Sequence, residues 1–191
     1  MTVLVVSATP EEALYVPERM KVLITGVGKV FAASAVARAL AEDPSITAVV
    51  NIGSAGALHD HLEGLHEITA VWNHDLSADA LRGFGYDPRE WLALPGAEKG
   101  VAPLRLATGD LFVSDPNVRA RLAEQADLVD MEGYAIAWAC RQADVPVRLV
   151  KHVSDKADEG ALDWPTLVDL SARALADWLE LNASPEARPR S

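Results

Sequence analysis

The chain has 191 residues and half of them are hydrophobic, which suits one folded domain with a full core and excludes disorder for most of its length. A formal net charge of −11 disfavours nucleic acid and anionic membranes as partners. The single cysteine, Cys140, excludes a disulfide framework and favours a reducing compartment, the cytoplasm. We expect no signal peptide or membrane span, because no apolar run approaches the roughly 20 residues that a bilayer requires.

Strand-like and helix-like segments alternate along the chain. Short apolar runs predict strands at 2–8, 21–25, 47–52, 67–72, 104–107, 128–131 and 147–153. Helical spacing of apolar residues predicts helices at 30–41, 132–142 and 167–181, with a further helix starting near 9–12. This order predicts an α/β fold, a single-domain three-layer α/β/α architecture with a mixed central sheet over residues 1–182. We expect the tail, 183–191, to be disordered.

Glycines and acidic residues follow several predicted strands. Gly53 and Gly56 are predicted to end the third strand, and the Ser154-Asp155 pair ends the last one. Ligands of open α/β sheets bind at the carboxyl ends of the strands, so Asp155 is a candidate for chemistry. The alternative is a helix N-cap, which the spacing alone predicts equally well.

Two other acidic residues also follow predicted strands. Glu132 follows a predicted strand and is either a ligand-binding carboxylate or a charge favoured at a helix N-terminus. Glu12 follows the first strand, where its position is typical of the acidic first turn of a surface helix. The histidines, including His59 and His61, have no spacing that predicts a metal site.

Five short segments, in order, resemble signature segments of the purine nucleoside phosphorylase superfamily. They are Gly26-Val27-Gly28-Lys29-Val30, Asn51-Ile52-Gly53-Ser54-Ala55-Gly56, Ala107-Thr108-Gly109-Asp110-Leu111-Phe112, Asp130-Met131-Glu132 and Ser154-Asp155-Lys156-Ala157-Asp158. The most similar branch is the 5′-methylthioadenosine/S-adenosylhomocysteine nucleosidases. The resemblance implies a nucleoside phosphorylase-like fold, hydrolysis of a purine nucleoside, a homodimer, and neither a cofactor nor a metal.

The resemblance also implies the roles of the acidic residues. Asp155, held by Ser154, would protonate N7 of the departing purine. Glu132 would accept hydrogen bonds from the 2′ and 3′ hydroxyls of the ribose, against which Met131 would pack. Glu12 would activate the attacking water.

The remaining predicted site residues would surround the base and the nucleophile. Ser54, in a glycine-containing segment, would bind water, phosphate or ribose. Phe112 would stack on the base, and the backbone of Val113 would read the edge of the base. Phe112 could equally be a buried core residue.

Two departures from the family pattern matter. Phosphorylases of the superfamily tend to carry arginines that bind phosphate, and Asn51-Ile52 and Thr9-Pro10-Glu11-Glu12 stand at those positions, which favours water as nucleophile. Residues 74–100 are shorter than in the family, at the place where a partner subunit usually closes the 5′ side. Three alternatives to a nucleosidase stay open: a purine nucleoside phosphorylase, a futalosine-type hydrolase, and a nucleoside-binding module without catalysis.

Overall fold

The computed structural model describes residues 2–94 and 104–182, which form a mixed sheet covered by helices on both faces. The strands, in chain order, are β1 (Thr2–Ser7), β2 (Lys21–Ile24), β3 (Ile46–Ala57), β4 (Leu65–Ile68), β5 (Ala70–Asn73), β6 (Trp91–Ala93), β7 (Arg105–Thr108), β8 (Leu128–Asp130) and β9 (Val147–Asp155). The helices are α1 (Lys29–Glu42), α2 (Ala78–Gly83), α3 (Pro116–Ala123), α4 (Gly133–Gln142) and α5 (Trp164–Asn182), with a 3₁₀ helix at Glu159–Asp163.

The longest strand, β3, connects the two parts of the sheet. Its first half pairs in parallel with β1, and β9 runs parallel to it from Val49 to Gly56. Its last residues, Gly56 and Ala57, pair with β8 in the antiparallel direction, and the order continues through β7, β5 and β6. The ends of β3, β8 and β9 are thereby brought together.

Successive side chains of each strand point to opposite faces of the sheet, so the core has a part on each face. Leu149 of β9 packs into the cluster that includes α1 and α4, whereas the next residue, Val150, packs with Leu175 of α5. In β7, Leu106 likewise packs on the α4 side, whereas Ala107 packs with α3 on the other face. The three-layer α/β/α architecture is therefore confirmed.

Several boundaries differ from the sequence prediction. Gly53 and Gly56 do not end β3, which continues to Ala57. They provide space instead, since a Cβ at Gly53 would lie 3.2 Å from Lys151 Nζ and one at Gly56 would lie 2.9 Å from Ala157 Cβ. A glycine can thus mark a close approach of side chains within a strand rather than a turn.

One predicted strand is two strands in the structure, and several elements of the structure have no counterpart in the prediction. The run at 67–72 belongs to two strands, because the chain leaves β4, which pairs with β9, and enters β5, which pairs with β6 and β7. The predicted helix start near 9–12 is a series of turns. The helices α2 and α3 and the short strand β6 had no clear apolar period in the sequence. The predicted tail, 183–191, lies outside the described residues, and no described helix has the length and apolar character needed to cross a membrane.

Candidate functional site

A cavity of about 260 Å³ opens at the carboxyl ends of the strands. Its walls come from the last residues of β3, β8 and β9, from the segments that follow β1, β2, β7 and β8, and from the start of α5. All eight residues that the sequence predicted for the site line this cavity: Glu12, Ser54, Phe112, Val113, Met131, Glu132, Ser154 and Asp155.

Asp155 lies at the end of β9 and both of its carboxylate oxygens are held. Ser154 Oγ donates to Oδ2 at 2.6 Å, and the backbone N–H of Ala157 donates to Oδ1 at 2.8 Å. No helix begins at this point, since the 3₁₀ helix starts only at Glu159. The carboxylate therefore does not cap a helix, and its local bonds orient it at the cavity wall.

The two acids at the end of β8 have different surroundings. Asp130 accepts from the backbone N–H of Gly133 at 2.8 Å, so it satisfies an N–H group in the first turn of α4. Glu132, the residue before that helix, makes no capping bond and instead accepts from the backbone N–H of Gly28 at 2.8 Å. The helix-charge interpretation thus applies to Asp130, and Glu132 is directed to the cavity.

Glu12 is buried within a turn rather than exposed on a surface helix. Its Oε1 accepts from Ser54 twice, from the backbone N–H at 2.7 Å and from Oγ at 2.8 Å, while Ser7 Oγ donates to Oε2 at 3.2 Å. The indole Nε1 of Trp164 donates to the same Ser54 Oγ at 2.7 Å. This relay fixes the Glu12 carboxylate between β1 and β3.

Beneath these carboxylates lies a lysine with only 2% of its side chain exposed. Lys151 Nζ is 2.9 Å from Asp130 Oδ2, and Thr108 Oγ1 donates to the other oxygen of Asp130 at 2.6 Å. Lys151 Nζ and Glu12 Oε1 also lie on the same side of Gly53, at 3.2 and 3.3 Å from the position of a Cβ there. One buried cation therefore compensates several acids.

Burial and mutual repulsion change the protonation of this group. Burial, followed by the neighbouring charge of Asp130, raises the pKa of Glu132 from its usual 4.5 to about 7, although Lys151 and the Gly28 N–H oppose the shift. Burial acts to lower the pKa of Lys151, but Asp130, Glu132 and Glu12 outweigh it and raise that pKa. The lysine therefore stays charged, and the raised pKa of Glu132 lies near neutral pH.

The opposite wall is apolar and more open. Val27, Leu111 and Phe112 line it and are 49%, 50% and 45% exposed, whereas Val113 beside them is buried. Phe112 is thus not a core phenylalanine, and its ring is available to a planar ligand.

Sequence reasoning missed two residues of the site. Lys151 stands inside the apolar run of β9, where a lysine covered on both faces requires counter-charges, and that requirement was the available signal. Trp164 was not singled out, because nothing in its local sequence indicates a bond to Ser54, which is 110 residues distant.

The chain is similar in sequence to known proteins. A family model described as the phosphorylase superfamily matches residues 15–177. The 5′-methylthioadenosine/S-adenosylhomocysteine nucleosidase of Shewanella denitrificans is 34% identical over 160 residues, covering 70% of this chain and 67% of that protein.

Solved structures have the same fold. The 5′-methylthioadenosine/S-adenosyl homocysteine nucleosidase of Helicobacter pylori superposes with a TM-score of 0.81 at 22% identity, covering 95% of this chain and 97% of that chain. A futalosine hydrolase mutant of the same organism gives 0.80 at 20% identity, covering 94% and 97%. Such identities establish the fold, and together with the family model and the 34% identical relative they show that the chain belongs to the phosphorylase superfamily.

Proposed function

We propose that this protein is a nucleosidase that hydrolyses the N-glycosidic bond of an adenine-type purine nucleoside. Methylthioadenosine and S-adenosylhomocysteine are the leading substrates, since the relatives that match at up to 34% identity are nucleosidases of these compounds. The observation that carries the proposal is the presence of Glu12, Glu132 and Asp155 around one cavity, where each carboxylate is oriented by its own hydrogen bonds.

The reaction requires an acid and a base, and Asp155 and Glu12 have these two roles. Asp155, in its acid form, donates a proton to N7 of the purine, and the electrons of the bond between C1′ and N9 leave with the base. Glu12 accepts a proton from water as the water oxygen forms the new bond to C1′. The products are the free base and a free sugar, and the proton gained by Glu12 returns through solvent to Asp155 for the next turnover.

The sugar lies between these two groups. Glu132 accepts hydrogen bonds from the 2′ and 3′ hydroxyls, and Met131 packs against the ribose. Phe112 stacks on the base, and the backbone of Val113 contacts its edge. Ser154 orients Asp155 through its 2.6 Å bond, and Ser54 orients Glu12.

Water is the nucleophile rather than phosphate. Of the described residues that line the cavity, four are acidic and none is arginine or lysine. The nearest cation, Lys151, is already engaged with Asp130 at 2.9 Å. A phosphate ion would therefore enter a negatively charged cavity with no free cation to hold it.

A second copy of the chain closes the open wall, and the enzyme acts as a homodimer in the cytoplasm. The exposed side chains of Val30, Phe31, Phe84 and Tyr86 supply apolar surface for such an interface. Trp91 is less available, because it stacks on Trp72 at 5.4 Å within its own sheet. Analytical ultracentrifugation should give twice the 20.5 kDa chain mass, and a monomer at micromolar concentration would contradict the dimer.

The activity is tested by incubating the protein with methylthioadenosine, S-adenosylhomocysteine, adenosine, inosine and futalosine, each with and without phosphate. From methylthioadenosine and S-adenosylhomocysteine we expect adenine and a free 5′-substituted ribose, at a rate that phosphate does not change. Strict phosphate dependence with a ribose 1-phosphate product would establish a phosphorylase. Preference for futalosine would establish the other hydrolase, and binding without turnover would establish a binding module.

A further inference from the structure

The Gly26-Val27-Gly28-Lys29 segment has a contact with the site that its glycines alone do not explain. Gly28 has a φ of 99°, which favours glycine, and its N–H donates to Glu132 Oε1 at 2.8 Å. Any shift of this segment would therefore move a hydrogen-bond donor of the carboxylate that contacts the sugar in the proposed function.

The start of helix α1 does not hold the segment in place by itself. Its N-cap is Gly28, which has no side chain to accept a bond. Asp110, from the segment after β7, replaces the missing cap, because its Oδ1 accepts from the backbone N–H of Lys29 at 2.8 Å. A Cβ at Gly28 would lie 3.2 Å from the same oxygen, so the two segments are in close contact.

The side chain of Lys29 connects this pair to a third segment. Its Nζ donates to Asn73 Oδ1 at 2.9 Å, forms an ion pair with Asp75, and lies 3.7 Å from Asp110 Oδ2. Asp75 in turn accepts from the backbone N–H of Asp110 at 2.8 Å. Lys29, Asp75 and Asp110, called the Lys29 clamp below, therefore join the segments after β2, β5 and β7.

We propose that the Lys29 clamp is a positioning device for sugar recognition, with Lys29 acting through the Gly28 N–H on Glu132. The inference rests on the proposed function and extends it to residues that do not line the cavity. Without the lysine, Asp75 and Asp110 would be neighbouring acids with no cation between them. Their repulsion would separate the segments and displace Gly28 from Glu132.

The clamp is tested with Lys29→Met, which keeps the length of the side chain and removes its charge, and with Lys29→Arg, which retains the charge. The matched control is Lys21→Met, since Lys21 forms a comparable pair with Asp43 at 2.5 Å, at the start of β2 and the end of α1. KM and kcat are measured for adenosine and for 2′,3′-dideoxyadenosine, and thermal unfolding of each variant is followed.

We expect Lys29→Met to raise KM for adenosine by about tenfold, within the roughly 10²-fold that a misplaced group can cost. For dideoxyadenosine, which offers Glu132 no hydroxyls, KM should change less than about twofold. Lys29→Arg should recover most of the affinity, and Lys21→Met should leave both KM values unchanged. The double variant Lys29→Met/Asp75→Asn should lose no more affinity than Lys29→Met alone.

The inference is overturned if both nucleosides weaken equally in Lys29→Met, if Lys21→Met has the same effect, or if folded Lys29→Met is unchanged. If the wild type binds nucleosides without turnover, the proposed reaction fails, and the ratio of the two Kd values from calorimetry tests the clamp in the same way. A wild type that binds neither nucleoside overturns both proposals.

Discussion

The floor and the rim of the cavity are built in opposite ways. The floor comprises Glu12, Asp130, Glu132 and Lys151, which are all at most 7% exposed and each make a hydrogen bond or an ion pair. The rim, formed by Val27, Leu111 and Phe112, is apolar, and each of its residues is 45–50% exposed. The difference teaches that this chain holds its acidic groups in place by itself, whereas its apolar rim is left exposed.

Glu12→Gln is the strongest way to break the floor. An amide cannot take a proton from the attacking water, so we expect turnover to be abolished while the nucleoside still binds. Product formation is followed by chromatography, and affinity by calorimetry. Substantial residual turnover would transfer the role of base to another group.

Asp155→Asn tests the acid at the boundary between floor and rim. The amide retains the shape of the side chain but has no acidic proton for N7, and losing a general acid costs about 10²- to 10⁴-fold in rate. We expect kcat to fall by that factor with little change in binding. Near-full activity on an adenine nucleoside would contradict the assignment.

Lys151→Met tests whether one cation holds the floor together. Removing it leaves Asp130 buried without its ion pair, and breaking a buried pair costs about 3–5 kcal/mol of stability. The free energy of unfolding from urea titration is the measurement, and Lys151→Arg is the control that keeps the charge. Equal stability of the methionine variant and the wild type would mean that the acids share protons instead of relying on the lysine.

Glu132 should make sugar binding depend on pH. The pKa of Glu132 is raised to about 7, so the carboxylate that is proposed to accept the ribose hydroxyls is lost as pH falls through 7, and KM should rise. Glu132→Gln should abolish this dependence and weaken ribosides by on the order of 1.5–3 kcal/mol, with little effect on 2′,3′-dideoxy analogues.

The raised pKa of Glu132 should affect folding stability in the opposite direction, because stability decreases where sugar binding improves. Between the usual pKa of 4.5 and about 7, the folded chain holds a proton that the unfolded chain has released, so the free energy of unfolding should decrease as pH rises through this window. Glu132→Gln should remove that decrease. An unchanged pH profile of stability in the variant would show that Glu132 titrates normally.

Phe112→Ala tests whether the aromatic ring at the rim contributes to binding. Aromatic stacking contributes about 0.5–1.5 kcal/mol, so KM should rise about two- to tenfold with kcat nearly unchanged. Steady-state kinetics on one adenine nucleoside are sufficient. A collapse of stability instead would mean that the ring supports the fold.

The sequence predicted the acidic residues of the site because they follow strands, where the fold class itself directs side chains toward a ligand. A lysine inside the apolar run of β9 indicates that counter-charges are needed, but its partner Asp130 could not be predicted, because the two are brought together only by the pairing of β3 with both β8 and β9. The error at Gly53 and Gly56 has a similar origin. Their function is to leave space for Lys151, Glu12 and Ala157, and those contacts exist only in the folded chain.

The raised pKa of Glu132 has a thermodynamic consequence for ligand binding. A riboside that requires the carboxylate must displace the proton that a fraction of the molecules carry at neutral pH. Binding is then accompanied by proton release to the buffer, so the heat measured by calorimetry will differ between buffers of different ionisation enthalpy. The slope of that difference counts the net number of protons released on binding, and its loss in Glu132→Gln would assign those protons to Glu132.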